Sequence, residues 1–487
     1  MEWEAVIGLE LHVQLLTASK LFSADPAHFT AEPNTHIHAI SLAHPGTLPR
    51  LNRKAIEQAI KLGLACQSQI TRVNYFDRKN YFYPDLPKGY QITQHHTPIC
   101  TGGYLTFYLQ EHTHSIRRQV RIHHMHLEED AGKLLHQHQQ SLIDFNRAGV
   151  PLLEIVTEPD LHSPEEAAAC LTALRRLVRY LGVSDGNMEE GSLRCDVNVS
   201  VRPAGQTTLG TKVEIKNLNS VRFVRRALEY EINRQIAELQ QGNAITQHTR
   251  GYDEQRNLTY PQRQKEMAHD YRYFPEPDLS PFVITDEMLD AIRQQLPPPQ
   301  ETLIDTYQHQ FGLSFSEAWQ LTESPTIVQF FSDTLHLLAA KTANLETMAA
   351  PVAHWLLGPI RAYVSNHHLP EPAGQLTPRQ LAELIQLIEN KTISFSTAAQ
   401  QLLPSLLEGT SLSPTQLITQ LGLHAQPDTQ QLIACVEETL QAMPDKIKQY
   451  RSGKKGLLSF FVGEVMKKTQ GKANPQLIHE LIRERLK

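Results

Sequence analysis

Cysteine is scarce: five in 487 residues, at positions 66, 100, 170, 195 and 435, odd in number and with no Cys-x-x-Cys pair. That excludes a disulfide framework and a thiolate zinc site, and the thiols read as buried or incidental. No uninterrupted apolar run approaches the roughly 20 residues that cross a bilayer. The opening MEWEAVIGLELHVQL carries acids where a secretion signal needs basic residues, and no small-residue cleavage site follows a purely apolar stretch. A cytoplasmic protein is expected. Neither GxxxxGK[ST] nor GxGxxG occurs, so any use of a nucleotide must rely on another geometry. A serine-rich amidase signature is missing as well, as is a cysteine set up as a glutaminase nucleophile.

The composition is that of a globular chain, 40% apolar and 20% charged, too long for a single core of ordinary size, so about three domains are expected. The formal charge of −6 gives no general attraction to nucleic acid, and neither a membrane nor DNA is expected as a partner. The charge is uneven, however. Residues 445–487 hold eleven Lys and Arg against four acids, a local excess of +7 suited to a polyanion or to a plain basic helical tail.

The texture changes along the chain. Up to about residue 290 it is strand-rich, with alternating apolar and polar positions and Pro, Gly and Asn punctuation. After the triple proline 297–299 the pattern is helical, as in SEAWQLTESPTIVQFFSDTLHLLAA and in TPRQLAELIQLIEN with its threonine cap. A further small helical unit begins near SLSPTQLITQLGL. The fold class is therefore α+β, divided as 1–295, 296–410 and 411–487. The histidine- and glutamine-rich LHQHQQ at 135–140 reads as a loop.

Three strand-like segments carry polar faces. VIGLELHVQL sets Ile7, Leu9, Leu11, Val13 and Leu15 against Glu10, His12 and Gln14, with Glu10 and His12 about 6.5–7 Å apart on one side. LRCDVNVSVRP sets Arg194, Asp196, Asn198, Ser200 and Arg202 against an apolar face, and TKVEIKN does the same with Lys212, Glu214 and Lys216. Any one of these is most simply a solvent face. If the three converge, their carboxylates repel and require protons or a cation, and an oxygen-rich cluster with an imidazole suits Mg²⁺ or Mn²⁺ better than zinc. The run HMHLEEDAGK would add Glu129 or Glu128; the strand phase of RRQVRIHHMHL does not decide between them.

Around this set lie candidate contacts for phosphate and bases. FDRKNYFYPDLPKGYQITQ groups Tyr75, Phe76, Tyr81, Phe82, Tyr83 and Tyr90 with Arg78, Lys79 and Lys88, a mixture of stacking surface and charge suited to a nucleotide or unpaired RNA bases. Lys133 is a further phosphate candidate. KNLNS leads from a strand into a long amphipathic helix closed by Gly242, so Lys216 and Asn217 stand before a helix N-terminus, a plausible anion site.

Long stretches carry a family resemblance: VIGLELHVQL, FDRKNYFYPD with QITQ, HLEEDAGK, NRAGVPLLEIVTEPD, MEEGSLRCDVNVSVRP, EIKNLNS, HDYRYFPEPDL, and GLLSFFVGEVMK followed by GKANP. The chain resembles the GatB family, the B subunits of aspartyl/glutamyl-tRNA(Asn/Gln) amidotransferases. The resemblance implies a cradle-shaped N-terminal domain, a helical domain and a YqeY-like tail that holds tRNA. It implies ATP- and Mg²⁺-dependent phosphorylation of the side-chain carboxylate on misacylated Glu-tRNA(Gln) or Asp-tRNA(Asn). Ammonia then comes from the A subunit of a heterotrimer that also contains a C subunit. Its catalytic and metal residues fall on Glu10, His12, Glu129, Asp196 and Glu214. Lys79, Tyr83, Lys88, Lys133, Arg147, Ser192, Arg194, Lys216 and Asn217 are expected at the ATP and acceptor-end site, and Lys454, Lys455, Lys467, Lys468 and Lys472 on the tRNA body. One departure is Glu464, where the family often has Gln.

Two other readings remain open from the residues alone. One is a non-catalytic tRNA-binding adaptor whose acidic faces are merely solvated. The other is a free-standing metallohydrolase, favoured only by the histidines at 123–126.

Overall fold

The alternation in VIGLELHVQL becomes strand β1, Trp3–Gln14. Its Ile7, Leu9, Leu11 and Val13 are buried; successive strand residues point to opposite faces, and from Leu9 onward only one of them is buried, whereas residues 5–9 are buried on both. The computed structural model describes residues 2–111, 114–137, 139–264, 271–339, 345–423, 429–452, 454, 456–469 and 475–486.

The strands that frame the site are β2 Asp77–Asn80, β3 Tyr90–Thr93, β4 His114–Glu129, β5 Pro151–Thr157, β6 Leu193–Pro203, β7 Val213–Leu218, β8 His248–Asp253, β9 Leu258–Gln264 and β10 Phe274–Pro275. They form one sheet, hydrogen-bonded in the order β9-β8-β7-β6-β1-β5-β4-β3-β2-β10. β1 runs antiparallel between β5 and β6, and β7 with β8 is a parallel pair. The register places His12 opposite Glu154 on one side and Arg194 on the other, and Glu10 opposite Asp196. Because the side-chain period is two, this register also stacks Leu11, Cys195 and Ile155 on the apolar face.

Helix α1 spans Arg53–Ala65, α2 Pro164–Tyr180 and α3 Val221–Gln240. α2 starts at Ser163, whose hydroxyl accepts from the Glu166 N–H, with Pro164, Glu165 and Glu166 in the first turn. α3 starts at Ser220, which accepts from the Phe223 N–H, and is followed by Gly242 at φ +83°, a conformation that glycine adopts without strain. α3 buries Val224, Ala227 and Leu228 together with a carboxylate, Glu231. Glu231 accepts from Arg234 at 2.6 and 3.0 Å, from Gln235 at 3.0 Å and from Thr259 at 2.7 Å, and Arg250 of β8 lies 3.3 Å away. Burial pushes its pKa up, but the hydrogen bonds from Arg234, Gln235 and Thr259 outweigh this and hold it ionised.

Sequence and structure differ at LHQHQQ. Lys133–Gln137 and Gln140–Asp144 form a two-stranded hairpin, pairing Leu134 with Ile143 and Leu135 with Leu142. Its strands are largely exposed, so the alternation that marks a half-buried strand is weak there.

The chain divides into two compact units, Met1–Pro299 and Gln300–Lys487. The described part of the second is helical. Thr377 caps the helix Pro378–Glu389 through a capping box with Gln380. Leu432, Val436, Phe461, Val465, Ile478 and Ile482 belong to a local core drawn entirely from residues 432–486. No helix among the described residues is long and apolar enough to cross a membrane.

Candidate active site on the polar face of the sheet

The polar faces of β4, β5, β1, β6 and β7 lie side by side. At one end, Nε2 of His12 is 3.3 Å from Glu154 and 3.6 Å from Glu128. Nε2 of His126 is 3.4 Å from Glu154 and 3.8 Å from Glu128. One ligand atom each of His12, Glu128 and Glu154 lies within 4.8 Å of the others, a spacing that could hold a metal ion. Desolvation disfavours the charged imidazole of His12, yet Glu154 and Glu128 outweigh it and raise its pKa to about 9. Burial likewise opposes ionisation of both carboxylates, but His126 and His12 hold Glu154 well below the ordinary range and Glu128 below it.

Across β1 the balance of charge changes. Asn198 donates to Glu10 at 2.7 Å. Lys216 donates to Asp196 at 2.8 Å and stands 3.5 Å from Glu214, while Thr249 donates to Glu214 at 2.7 Å. Burial opposes the charge on Lys216, but Asp196 and Glu214 raise its pKa well above the lysine norm. Arg194 pairs with Asp130 at 3.0 Å, which with its other acidic neighbours raises its pKa.

Of the two acidic residues left open by sequence, the structure brings Glu128 to His12. Glu129, expected with His12 from the resemblance, turns away: its carboxylate accepts from the Ile92 N–H at 2.8 Å and pairs with Lys88. The cause is strand parity, since one residue along β4 reverses the side. Glu129 and Lys88 instead help line a cavity of about 220 Å³ with Lys20, Tyr90, Asp130 and Gly149. Lys20 is buried and donates to the His36 carbonyl at 2.8 Å; desolvation lowers its pKa to about 8, against the pull of Asp25 and Glu129.

The other expected contacts are dispersed. Lys79 lies 4.8 Å from the Tyr271 ring centroid and 5.8 Å from that of Tyr81, on the His126 side. Tyr83 is about half exposed and Lys133 is exposed. Arg147 donates to the carbonyls of Ala131 and Gly132 at 3.1 and 2.8 Å, holding the turn after the acidic run. Ser192 is buried, and its carbonyl accepts from the Gln14 N–H at 2.8 Å. Asn217 belongs to β7, and its side chain lies outside the described residues. In the tail, Lys454 is exposed, Lys467 pairs with Glu464 and Lys468 with Glu438, each at 3.0 Å, and Lys455 and Lys472 lie outside the described residues.

Sequence reasoning missed Glu154 and His126. Glu154 had a signal: it is the one charged residue in the apolar run VPLLEIV, and a carboxylate in a buried strand needs a partner. His126 falls in a histidine-rich stretch whose phase the sequence does not resolve.

The match to known proteins extends over both units. The model of the GatB/GatE catalytic domain matches residues 5–290, and that of the GatB domain matches residues 337–486. A Thermosynechococcus vestitus protein, named as the B subunit of aspartyl/glutamyl-tRNA(Asn/Gln) amidotransferase, is 47% identical over 100% of this chain and 97% of its own. Proteins of the same name from Thermodesulfovibrio yellowstonii and Halorhodospira halophila are 44% and 45% identical over at least 99% of both chains. The chain belongs to the GatB family.

Proposed function

We propose that the chain is the B subunit of a glutamine-dependent tRNA amidotransferase, working in the cytoplasm with an A subunit and a C subunit. Its substrate is tRNA(Gln) carrying Glu, tRNA(Asn) carrying Asp, or both. The side-chain carboxylate of the misacylated residue attacks the γ-phosphorus of ATP, giving an acyl phosphate and ADP. Ammonia released by the A subunit then displaces phosphate and leaves the amide. The observation that carries this reading is the continuous polar face, with the cationic Lys216 set between Asp196 and Glu214 beside the His12 cluster.

Among the described residues, His12, Glu128 and Glu154 lie close enough together to hold a divalent ion. Glu10, Asp196 and Glu214 add oxygen donors of the kind that hold Mg²⁺ with nucleotide phosphates, engaged here by Asn198, Lys216 and Thr249. When bound, such an ion offsets the charge that the transferring phosphoryl group spreads over its oxygens. Lys216 and Arg194 orient anionic groups from the β6 and β7 side, and Lys79 does so from the β2 side. Tyr83, Lys88, Lys133, Arg147, Ser192 and Asn217 complete the expected acceptor-end site, with Arg147 acting through the turn at Gly132 and Glu129 acting through Lys88. Phosphoryl transfer is mainly positioning and electrostatics, so an Asp196→Asn complex should bind tRNA and yet lose most ATP-dependent amidation. Unimpaired amidation in that complex would favour the adaptor reading.

The segments 1–295, 296–410 and 411–487 serve, in this reading, as the catalytic cradle, a helical domain and a tRNA-holding tail. Lys454, Lys455, Lys467, Lys468 and Lys472 would contact phosphates of the tRNA body. The pairing of Lys467 with Glu464 reduces the charge that residue can offer. Deleting residues 411–487 from the assembled complex should weaken tRNA binding and flatten its dependence on salt, because phosphate contacts release counterions. Titrations at several salt concentrations check this, and an unchanged slope would remove the tail from the interface.

A further inference from the structure

A run of aromatic rings leads away from the acidic end of the polar face. Tyr273 stands at its inner end: burial raises the pKa of the phenol, and Glu154 and Glu128 add to the shift. From Tyr273 the rings follow one another through Tyr271 and Tyr81 to Tyr83, with centroids 6.0, 6.1 and 6.0 Å apart. Exposure rises outward. Tyr273, Tyr271 and Tyr81 are half-buried, Tyr83 is 47% exposed, and Phe82 is 88% exposed. Lys79 lies over the middle of the run, on the Tyr271 and Tyr81 rings, and makes no ion pair among the described residues.

A single exposed apolar side chain is ordinary; what sets Phe82 apart is that its ring is backed on one side. The ring lies against Gly89, where a β-carbon would meet ring atoms at 3.1 and 3.3 Å. Gly89 has φ +70°, a conformation that glycine adopts without strain. Two turns close the loop between them: the Leu86 N–H donates to the Tyr83 carbonyl and the Gly89 N–H to the Leu86 carbonyl, each at 3.0 Å. One side of the ring therefore rests on main chain, and the other is open to solvent.

We propose that the Phe82 ring, backed by Gly89, is a stacking platform for an unpaired base at the 3′ end of the tRNA, with Lys79 as a phosphate contact further in. The inference rests on the reading that this face amidates an aminoacyl-tRNA, and it deepens that reading by placing the RNA strand. A strand that delivers its aminoacyl terminus to the acidic end must leave its preceding bases outside, and the run has that polarity, with carboxylates at the inner end and an open ring at the outer. Stacking on such a ring tolerates any base, because every base has a π-face, and a cation beside the rings holds the backbone. The base of a small nucleotide is instead held in a concave site that encloses most of its surface. Phe82 offers one open face, which favours the RNA over ATP. Lys79 beside the run favours an anionic strand over an apolar protein surface.

The test compares intact tRNA(Gln) with the same tRNA lacking its unpaired 3′ end, each titrated against the full chain assembled with its partner subunits. Phe82→Ala should weaken binding of the intact tRNA about 5–100-fold, the scale of one lost base stack. The truncated tRNA should bind the variant as it binds wild type, so that the two changes are not additive. Phe82→Trp should restore the affinity for intact tRNA, because it keeps a flat face at that position. Equal weakening of both tRNAs, or no weakening of the intact one, would overturn the inference. A raised KM for ATP with unchanged tRNA affinity would give the ring to the nucleotide and overturn it as well, and loss of a partner subunit from the Phe82→Ala complex would make the ring a protein contact instead. All of these outcomes leave amidation by the wild-type complex standing; only a wild-type complex that fails to amidate would remove the reading on which the inference rests.

Discussion

Replacing Glu154 by Gln should lower ATP-dependent amidation by the assembled complex about 10²–10³-fold, the loss typical of removing one preorganised electrostatic group. The exchange keeps the size of the side chain and one carbonyl oxygen but removes its charge. Glu154 is the carboxylate nearest to both His12 and His126 and the largest source of the raised pKa of His12. Its loss would leave two imidazoles facing Glu128 alone, with less reason to hold either a proton or a cation. Initial rates of Gln-tRNA(Gln) formation measure the effect, with glutaminase turnover by the A subunit and tRNA affinity as controls. A change of less than about threefold would show that this end of the face does not take part.

The second large effect is on stability. Glu231→Ala should destabilise the first unit by about 3–5 kcal/mol, the usual consequence of removing one member of a buried ion network. Arg234 would remain partly buried with its acceptor gone, Arg250 would lose its carboxylate neighbour while still donating to Thr259, and Thr259 and Gln235 would each lose a partner. Because Glu231 ties α3 to β8 and β9, the loss should appear as faster amide exchange in those strands and a lower thermal midpoint of the complex. Glu229 is only two residues away, but it is about half exposed and pairs with Arg225, so Glu229→Ala should change stability by less than about 1 kcal/mol.

Much of the sheet was legible from local alternation. β1, β6 and β7 each carry a clean period of two, so the faces that hold Glu10 with His12, Asp196, and Glu214 with Lys216 follow from sequence once the strands are paired. The pairing itself is a long-range fact: Glu154 meets His12 across 142 positions of chain, and no local pattern states that distance. β4 was ambiguous because RRQVRIHHMHLEE mixes histidine and charge on both parities, which leaves Glu128 and Glu129 undecided. The hairpin after Lys133 reads as a loop because its exposed strands lack an apolar face. Roles expected from the resemblance, such as those of Lys79 and Lys216, have a geometric setting here that periodicity could not supply.

The measurement closest to the central claim uses the Asp196→Asn complex with ammonium chloride in place of glutamine, which bypasses the A subunit's glutaminase and isolates activation of the carboxylate. With ATP, Mg²⁺ and Glu-tRNA(Gln), wild type should form Gln-tRNA(Gln). The variant should bind the same tRNA and form almost none, because Asp196 holds the Lys216 ammonium on the polar face. Amidation at the wild-type rate in the variant would contradict that claim and place the phosphorylation chemistry elsewhere in the complex.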